Sequence, residues 1–300
     1  MQIGLIGLGR MGAAIARRFT DGGARVVGFD ASPATAEALA GTLDLVASIV
    51  ELPKRLSPPR VVWLALPAGR VTELAVEDLW PELARGDVIV DAGNAHYRDS
   101  QRRGAALASA GIRFIDCGVA GSIGTACAVT FGGDADAMRL VEPGAALLAA
   151  GPKGWLHCGP CGAGHFARMI HNGIEYGMMQ AYAEGIALLK GNEAFAIDVA
   201  AMTQAWRQGS VVSSWLLDVI AAFLVRDADL AQVAPVVADS GDVRWAALEA
   251  VEQGVPAPVM ALALMMRFAS QNKSDYADRL LAMMRKDIGG HSAQGLAGAR

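Results

Sequence analysis

The 300-residue chain has no apolar run approaching the ~18 residues of a membrane-spanning helix, and its first residues read straight into a strand rather than a cleavable leader. Both absences lead to the expectation of a cytoplasmic protein without a membrane partner. Blocks of like charge are also missing. With 26 basic and 30 acidic residues spread along the sequence and a formal charge of −4, no basic patch addresses nucleic acid and no basic amphipathic tract addresses a membrane surface. Small ligands, phosphorylated ones included, are the partners this leaves.

Cysteine is scarce, limited to Cys117, Cys127, Cys158 and Cys161. The last two form Cys-Gly-Pro-Cys, a spacing shared with thioredoxin-type redox motifs. Such a motif needs a preceding strand and a helix N-terminus inside a thioredoxin-like domain, of which the chain shows no other sign. The passage is therefore read as a Gly-Pro turn between domains. A zinc site would need further cysteine or histidine at ligand spacing, so no metal is expected.

What is present first is alternation. Gln2 to Gly7 reads as a short apolar strand, Ala13 to Thr20 as an amphipathic helix and Arg25 to Phe29 as a second strand. Apolar runs at Val61 to Leu66 and Val88 to Val90 end at Pro67-Ala68-Gly69 and Asp91-Ala92-Gly93-Asn94, and Ile112 to Cys117 and Ala128 to Phe131 read as further strands. Strands alternating with helical stretches indicate a parallel doubly wound sheet. From Gly164 onward helical periodicity takes over, interrupted at Gly191, at Ala234-Pro235 and over Gly254 to Pro258. The expected architecture is an α/β Rossmann-type dinucleotide-binding domain over residues 1–160, followed by an all-α domain over residues 161–300. That division suits a chain worth roughly two domains of ~150 residues.

Several later helices lack a polar face, notably Trp215-Leu216-Leu217, Val219-Ile220 and Met260 to Phe268. Helices of that kind are buried against something, and a helical domain of only ~130 residues has a limited interior. A homodimer or higher homo-oligomer is expected.

Gly7-Leu8-Gly9-Arg10-Met11-Gly12 follows a strand and opens a helix, the context in which Gly-x-Gly-x-x-Gly binds a dinucleotide. Gly7 makes the tight turn, Gly9 admits the pyrophosphate to the backbone, and Gly12 lets helix and strand pack closely. The free N–H groups of the helix start, from Arg10 and Met11 on, face the phosphates. Asp30 ends the second strand, where a carboxylate hydrogen-bonds the ribose hydroxyls of NAD and repels a 2′-phosphate. No arginine or lysine follows it before Lys54, so NAD is the expected cofactor. Leu66, Pro67, Ala68 and Asn94 lie at strand C-termini, the edge where open α/β sheets bind ligands. Asn94 would orient the nicotinamide or a substrate hydroxyl.

The densest chemistry lies in GHFARMIHNGIEYGMMQAY, Gly164 to Tyr182. Arg168, His171, Asn172, Glu175 and Tyr176 fall at three- and four-residue steps along one side of a helix, while Met169, Ile170, Met178 and Met179 are apolar. The polar side should face a cleft, and the reaction is expected there.

This passage resembles the signature of the 6-phosphogluconate dehydrogenases, close to GHFVKMVHNGIEYG. The resemblance continues through Trp206 to Val212, Ser214 to Asp218, Asp239-Ser240-Gly241 and Gly289-Gly290-His291. That family oxidises the 3-hydroxyl of 6-phosphogluconate with a nicotinamide cofactor, releases carbon dioxide from the β-keto acid and protonates the enediol to ribulose 5-phosphate. The resemblance implies Glu175 as the general acid, His171 and Asn172 as holders of substrate hydroxyls, and Tyr176 and Arg267 as phosphate ligands. It also implies that Arg285 and His291 reach across a dimer into the neighbour's site.

The departures cluster in the same place. Arg168 stands where the family has its lysine base, and a guanidinium with a pKa above ~12 does not give up its proton to become one. Ala120-Gly121-Ser122 replaces a Ser-Gly-Gly passage that binds substrate, and Ala95 replaces the serine after Asn94. Three outcomes remain open: the family reaction slowed, with His171 or water standing in as base; oxidation of another sugar acid or β-hydroxy acid, with Arg168 gripping a carboxylate; or NAD binding without turnover.

Overall fold

The computed structural model describes residues 1–122, 126–273 and 275–289. The chain forms two compact units, Met1–His171 and Asn172–Arg300.

The first unit is a Rossmann-type layered α/β structure. Its elements run β1 (Gln2–Ile6), α1 (Arg10–Asp21), β2 (Arg25–Phe29), α2 (Pro33–Glu37), β3 (Asp44–Leu45), β4 (Val61–Leu64), α3 (Arg70–Leu79), β5 (Val88–Asp91), α4 (Tyr97–Ala108), β6 (Arg113–Ser122), β7 (Ala126–Gly133), α5 (Ala135–Leu148) and β8 (Trp155–Gly159). The strand order is β3-β2-β1-β4-β5-β6-β7-β8. All neighbours are parallel except β6 and β7, which pair antiparallel from Ile115–Gly133 to Ser122–Ala126. Strand β8 was not among the expected strands. Its alternating half-buried pattern and single sheet neighbour make it an edge strand, whose apolar signal is weak.

Strands β4 and β5 are buried along their whole length, as central parallel strands covered by helices on both faces must be. One face of the sheet packs Ile3, Leu5, Trp63 and Val90 against α1 and α5 through Ile15, Phe19 and Val141. The other packs Ile6, Val62, Leu64 and Ile89 against Val76, Leu79 and Leu107 of α3 and α4. The order reverses between β1 and β4, so the crevice for a ligand opens at their C-terminal ends.

The 29-residue helix α6 (Ala163–Gly191) begins in the first unit and continues into the second, where α7 (Val199–Trp206), α8 (Trp215–Leu224), α9 (Asp242–Gln253), α10 (Pro258–Ser270) and α11 (Asp275–Gly289) follow. The starts of α7 and α8 are fixed by side-chain caps: Asp198 accepts from the N–H of Ala201 and Ser214 from that of Leu217. Two stretches are less helical than expected: residues 207–214 form no helix, and the expected break at Ala234-Pro235 widens to residues 225–241. In the first, Gly209 takes a φ of 84°. In the second, the Asp227 carboxylate collects the N–H groups of Asp229 and Leu230 and competes with helix continuation. Among the described residues no helix is long and apolar enough to cross a membrane.

The apolar helices expected to be buried are only partly so within the chain. Leu217 of α8 and Ala263 and Leu264 of α10 are buried, but Trp215, Val219, Leu262, Met265 and Met266 are exposed.

Candidate active site

Glycine chemistry builds the nucleotide end of the first unit. Gly7 turns the chain at φ 91°, and a Cβ there would lie 2.5 Å from the carbonyl oxygen of Ala65, so β1 and the end of β4 touch backbone to backbone. A Cβ on Gly12 would overlap the carbonyl oxygen of Gly7. Above Gly9 the space is open: a Cβ there would meet nothing within 4 Å, and no side chain caps the start of α1. The carboxylate of Asp30 is held in place by the N–H groups of Leu8 (2.7 Å) and Ser32 (2.8 Å). This open, uncapped helix start flanked by a fixed carboxylate fits a dinucleotide: phosphates over Gly9, Arg10 and Met11, and a ribose at Asp30.

The turn at Leu66, Pro67 and Ala68 and the turn at Asn94 meet, since a Cβ on Gly93 would lie 2.6 Å from the Leu66 carbonyl oxygen. An ion-pair relay missing from the sequence expectations braces the second of these turns. Asp91 accepts the N–H of Gly93 (3.0 Å) through one oxygen and Arg103 (3.2 Å) through the other. Arg103 donates through Nε to Glu73 (2.9 Å), which Arg102 also grips (2.7 Å). Asp91 and Arg103 are fully buried. The Arg102 hydrogen bond, with Arg103 behind it and against the opposing desolvation, pulls Glu73 down to about 2. The available signal was an arginine in register with Ser100 and Leu107 on the buried face of α4.

Glycine also lets α6 start against the sheet. A Cβ on Gly164 would lie 2.6 Å from the Asp116 carbonyl oxygen. The Asp116 carboxylate, pushed up by burial, accepts the N–H groups of Gly162 (2.6 Å) and His165 (2.7 Å), and His165 Nδ1 meets Ser100 Oγ at 2.8 Å. His165 is thereby a buried anchor of the helix start. Cys-Gly-Pro-Cys does lie at a strand-to-helix junction, between β8 and α6, although β8 itself was not expected. Its thiols are nonetheless unactivated: burial raises both, Cys161 to about 12, whereas redox cysteines need depressed values.

One and two turns further along, Arg168 Nη1 lies 3.1 Å from His171 Nδ1. Ala95 and Ala120 are buried, Ala120 paired with Ala128 across the β6–β7 ladder, Gly121 follows it and Ser122 ends the strand.

The second unit gathers a different set. The Asn172 amide donates to Asp242 (2.8 Å), both buried, which fixes the orientation of the amide through one of its two N–H groups. Tyr176 Oη meets Ser240 Oγ at 3.2 Å, and Ser240 Oγ donates to Asp242 (3.1 Å). The guanidinium of Arg267 lies 3.5 Å from the Tyr176 ring centroid, and its Nη1 donates to the Ala238 carbonyl (2.7 Å). Tyr176, Ser240 and Arg267 thus form a braced cationic corner. Glu175, half-buried, precedes Tyr176 on α6. Arg285 lies on α11, and His291 lies outside the described residues. Among the described residues no three His, Cys, Asp or Glu side chains gather as a metal-binding group.

Comparison with known proteins matches residues 2–159 to the family model for the NAD-binding domain of 6-phosphogluconate dehydrogenase and residues 164–292 to that for its C-terminal domain. The chain is 37% identical to the Bacillus subtilis protein YqeC over 98% of its own length and 99% of the relative's. It is 38% identical to the NAD(+)-dependent, decarboxylating 6-phosphogluconate dehydrogenase of Haloferax volcanii, covering 97% and 98% of the two chains. Among solved structures, Plasmodium falciparum 6-phosphogluconate dehydrogenase superposes with a TM-score of 0.84 at 24% identity, over all of this chain and 67% of that one.

Proposed function

The chain belongs to the 6-phosphogluconate dehydrogenase family, and on that footing we propose that it is an NAD-linked dehydrogenase of a phosphorylated sugar acid, 6-phosphogluconate first among them. The observation that carries the substrate class is the corner of Arg267, Tyr176 and Ser240. Its guanidinium is already oriented by stacking and by the Ala238 carbonyl, so a phosphate meets a cation whose ordering entropy is spent in folding. Residues 1–160 serve the cofactor and 161–300 the substrate.

A bound nicotinamide supplies the hydride acceptor. Asp30 favours NAD over NADP, because a carboxylate locked by two backbone N–H groups repels a 2′-phosphate and no basic residue follows before Lys54. Asn94, braced by the Asp91 turn, orients the nicotinamide or the reacting hydroxyl, and Gly121 and Ser122 line the substrate. Glu175 delivers a proton from its carboxyl group to the enediol carbon after carbon dioxide leaves. The exposed faces of α8 and α10 belong to a homodimer, in which Arg285 and His291 complete the partner's site; an apolar hollow of about 420 Å³ lined by Met179, Ile186, Val219 and Phe223 lies in the same unit. The setting is the cytoplasm.

One observation favours a second reading, a different β-hydroxy or sugar acid: Arg168 cannot act as a base, and it is engaged with His171. Assays with NAD and with NADP over phosphorylated and unphosphorylated aldonates and short β-hydroxy acids, following reduced cofactor and carbon dioxide separately, decide. The first reading expects reduced NAD and carbon dioxide from 6-phosphogluconate, with NADP poorer by on the order of tenfold or more. Turnover confined to other acids selects the second, and NAD binding without turnover on any of them rejects both.

A further inference from the structure

Residues 66–69 after β4 and residues 92–94 after β5 form two turns of the first unit that a closed ring of contacts ties together. Thr72, fully buried at the start of α3, donates through Oγ1 to the Pro67 carbonyl (2.8 Å). Its neighbour Glu73 accepts from Nε of Arg103 on α4 (2.9 Å), and Nη1 of Arg103 reaches Asp91 (3.2 Å). The other Asp91 oxygen takes the N–H of Gly93 (3.0 Å), and Gly93 approaches the Leu66 carbonyl oxygen so closely that a Cβ would lie 2.6 Å from it. The contacts have then returned to the turn where they began. Arg103 spans two carboxylates on different elements, which a planar guanidinium fork can do and a compact ammonium cannot. A buried ion pair is often no more stabilising than apolar packing of the same volume, so directional fixing is what this one adds.

We propose that Arg103 is a positioning residue for the nicotinamide half of the cofactor, acting through the ring that sets the two turns against each other. The place follows from topology. Strand order reverses between β1 and β4, and a dinucleotide lies across that reversal at the C-terminal strand ends. With one ribose at Asp30, after β2, and the pyrophosphate over Gly9, the remaining half extends over β4 and β5, where the two turns lie. Arg103 is buried and engaged by both carboxylates, so it acts on a ligand through the backbone it holds. The nicotinamide assignment rests on the dinucleotide reading above, whereas the ring is independent of it.

The test compares NAD with ADP-ribose, which lacks only the nicotinamide, by calorimetry on the full-length protein, and follows amide hydrogen exchange at Gly93. Arg103→Lys keeps the charge but reaches one carboxylate at a time. Thr72→Val keeps the shape and removes the hydrogen bond to Pro67, opening the ring at an uncharged link. Both variants are expected to weaken NAD by about fivefold to tenfold and to leave ADP-ribose within about twofold, and Arg103→Lys to speed exchange at Gly93 by on the order of tenfold. Equal losses for the two ligands, or NAD binding unchanged in either variant, overturn the positioning role. Should Arg103→Lys fail to fold, Thr72→Val decides by the same ligand comparison. If the wild type takes NADP instead, the pair becomes NADP and 2′-phospho-ADP-ribose, with the same outcomes. If it binds no dinucleotide, that reading falls and the nicotinamide assignment with it, while an exchange rate at Gly93 unchanged by Arg103→Lys still overturns the ring.

Discussion

The two units use their apolar residues in opposite ways. In the first, β4 and β5 are sealed on both faces and the polar atoms of interest are fixed by backbone: Asp30 by Leu8 and Ser32, Asp91 by Gly93, Asp116 by Gly162 and His165. In the second, α10 buries Ala263 and Leu264 but shows Leu262, Met265 and Met266 to the outside; side chains hold Tyr176 (Ser240) and Asn172 (Asp242), and the Ala238 carbonyl holds Arg267. The first unit therefore seals its central strands within the chain, whereas the second leaves apolar helix faces exposed.

The sharpest way to break that contrast is Arg103→Met. It strands Asp91 as a buried carboxylate without its cation, a change expected to cost about 3–5 kcal/mol of unfolding free energy in the first unit. Urea unfolding followed by the fluorescence of buried Trp63 measures it. A loss below about 1 kcal/mol would show that the relay is dispensable to the sheet.

Next come the glycines, which separate scaffold from site. Gly12→Ala drives a methyl into the Gly7 carbonyl and is expected to cost about 1–3 kcal/mol. Gly9→Ala meets nothing within 4 Å and keeps a φ of −61°, so stability should stay within about 0.5 kcal/mol while NAD affinity falls. Thermal unfolding and NAD titration of both variants check this. Equal stability losses would mean that the space over Gly9 is structural.

These cases show what was legible in the chain. The Rossmann half could be read because each of its devices is local: a glycine at a fixed offset from a strand, a carboxylate at the end of the next one, an apolar run for each central strand. Strand β8 escaped because an edge strand exposes alternate residues, and the relay of Glu73, Arg103 and Asp91 escaped because its members lie on three elements that only the fold unites. On α6 the helical step showed which polar residues share a side, but not that Asn172 spends its amide on Asp242 or that Arg168 faces His171. Periodicity gives direction, and partners come from tertiary structure.

For the second unit, the surface is the place to test. Leu262→Asp puts a charge on an exposed face of α10 that a lone chain would tolerate within about 0.5 kcal/mol. If that face is a dimer interface, desolvating the carboxylate should raise the dimer dissociation constant by on the order of tenfold or more. Sedimentation at several concentrations reads the difference. An unchanged mass at every concentration removes α10 from the interface.

The smallest expected effect is electrostatic. Glu73 sits near 2 instead of its ordinary 4.5, so its carboxylate is favoured by folding. The stability it contributes is present above about pH 4.5 and is lost as pH falls through 4.5 toward 2, where the folded carboxylate finally takes its proton. Because Glu73 is a quarter exposed and one partner, Arg102, is more than half exposed, solvent screening holds the contribution to about 1 kcal/mol. Glu73→Gln should therefore be less stable than the wild type by that amount near neutrality, and the two should converge in acid. A constant gap down to pH 2 would mean that the glutamine loses packing rather than charge, and that Arg103 is held by Asp91 alone.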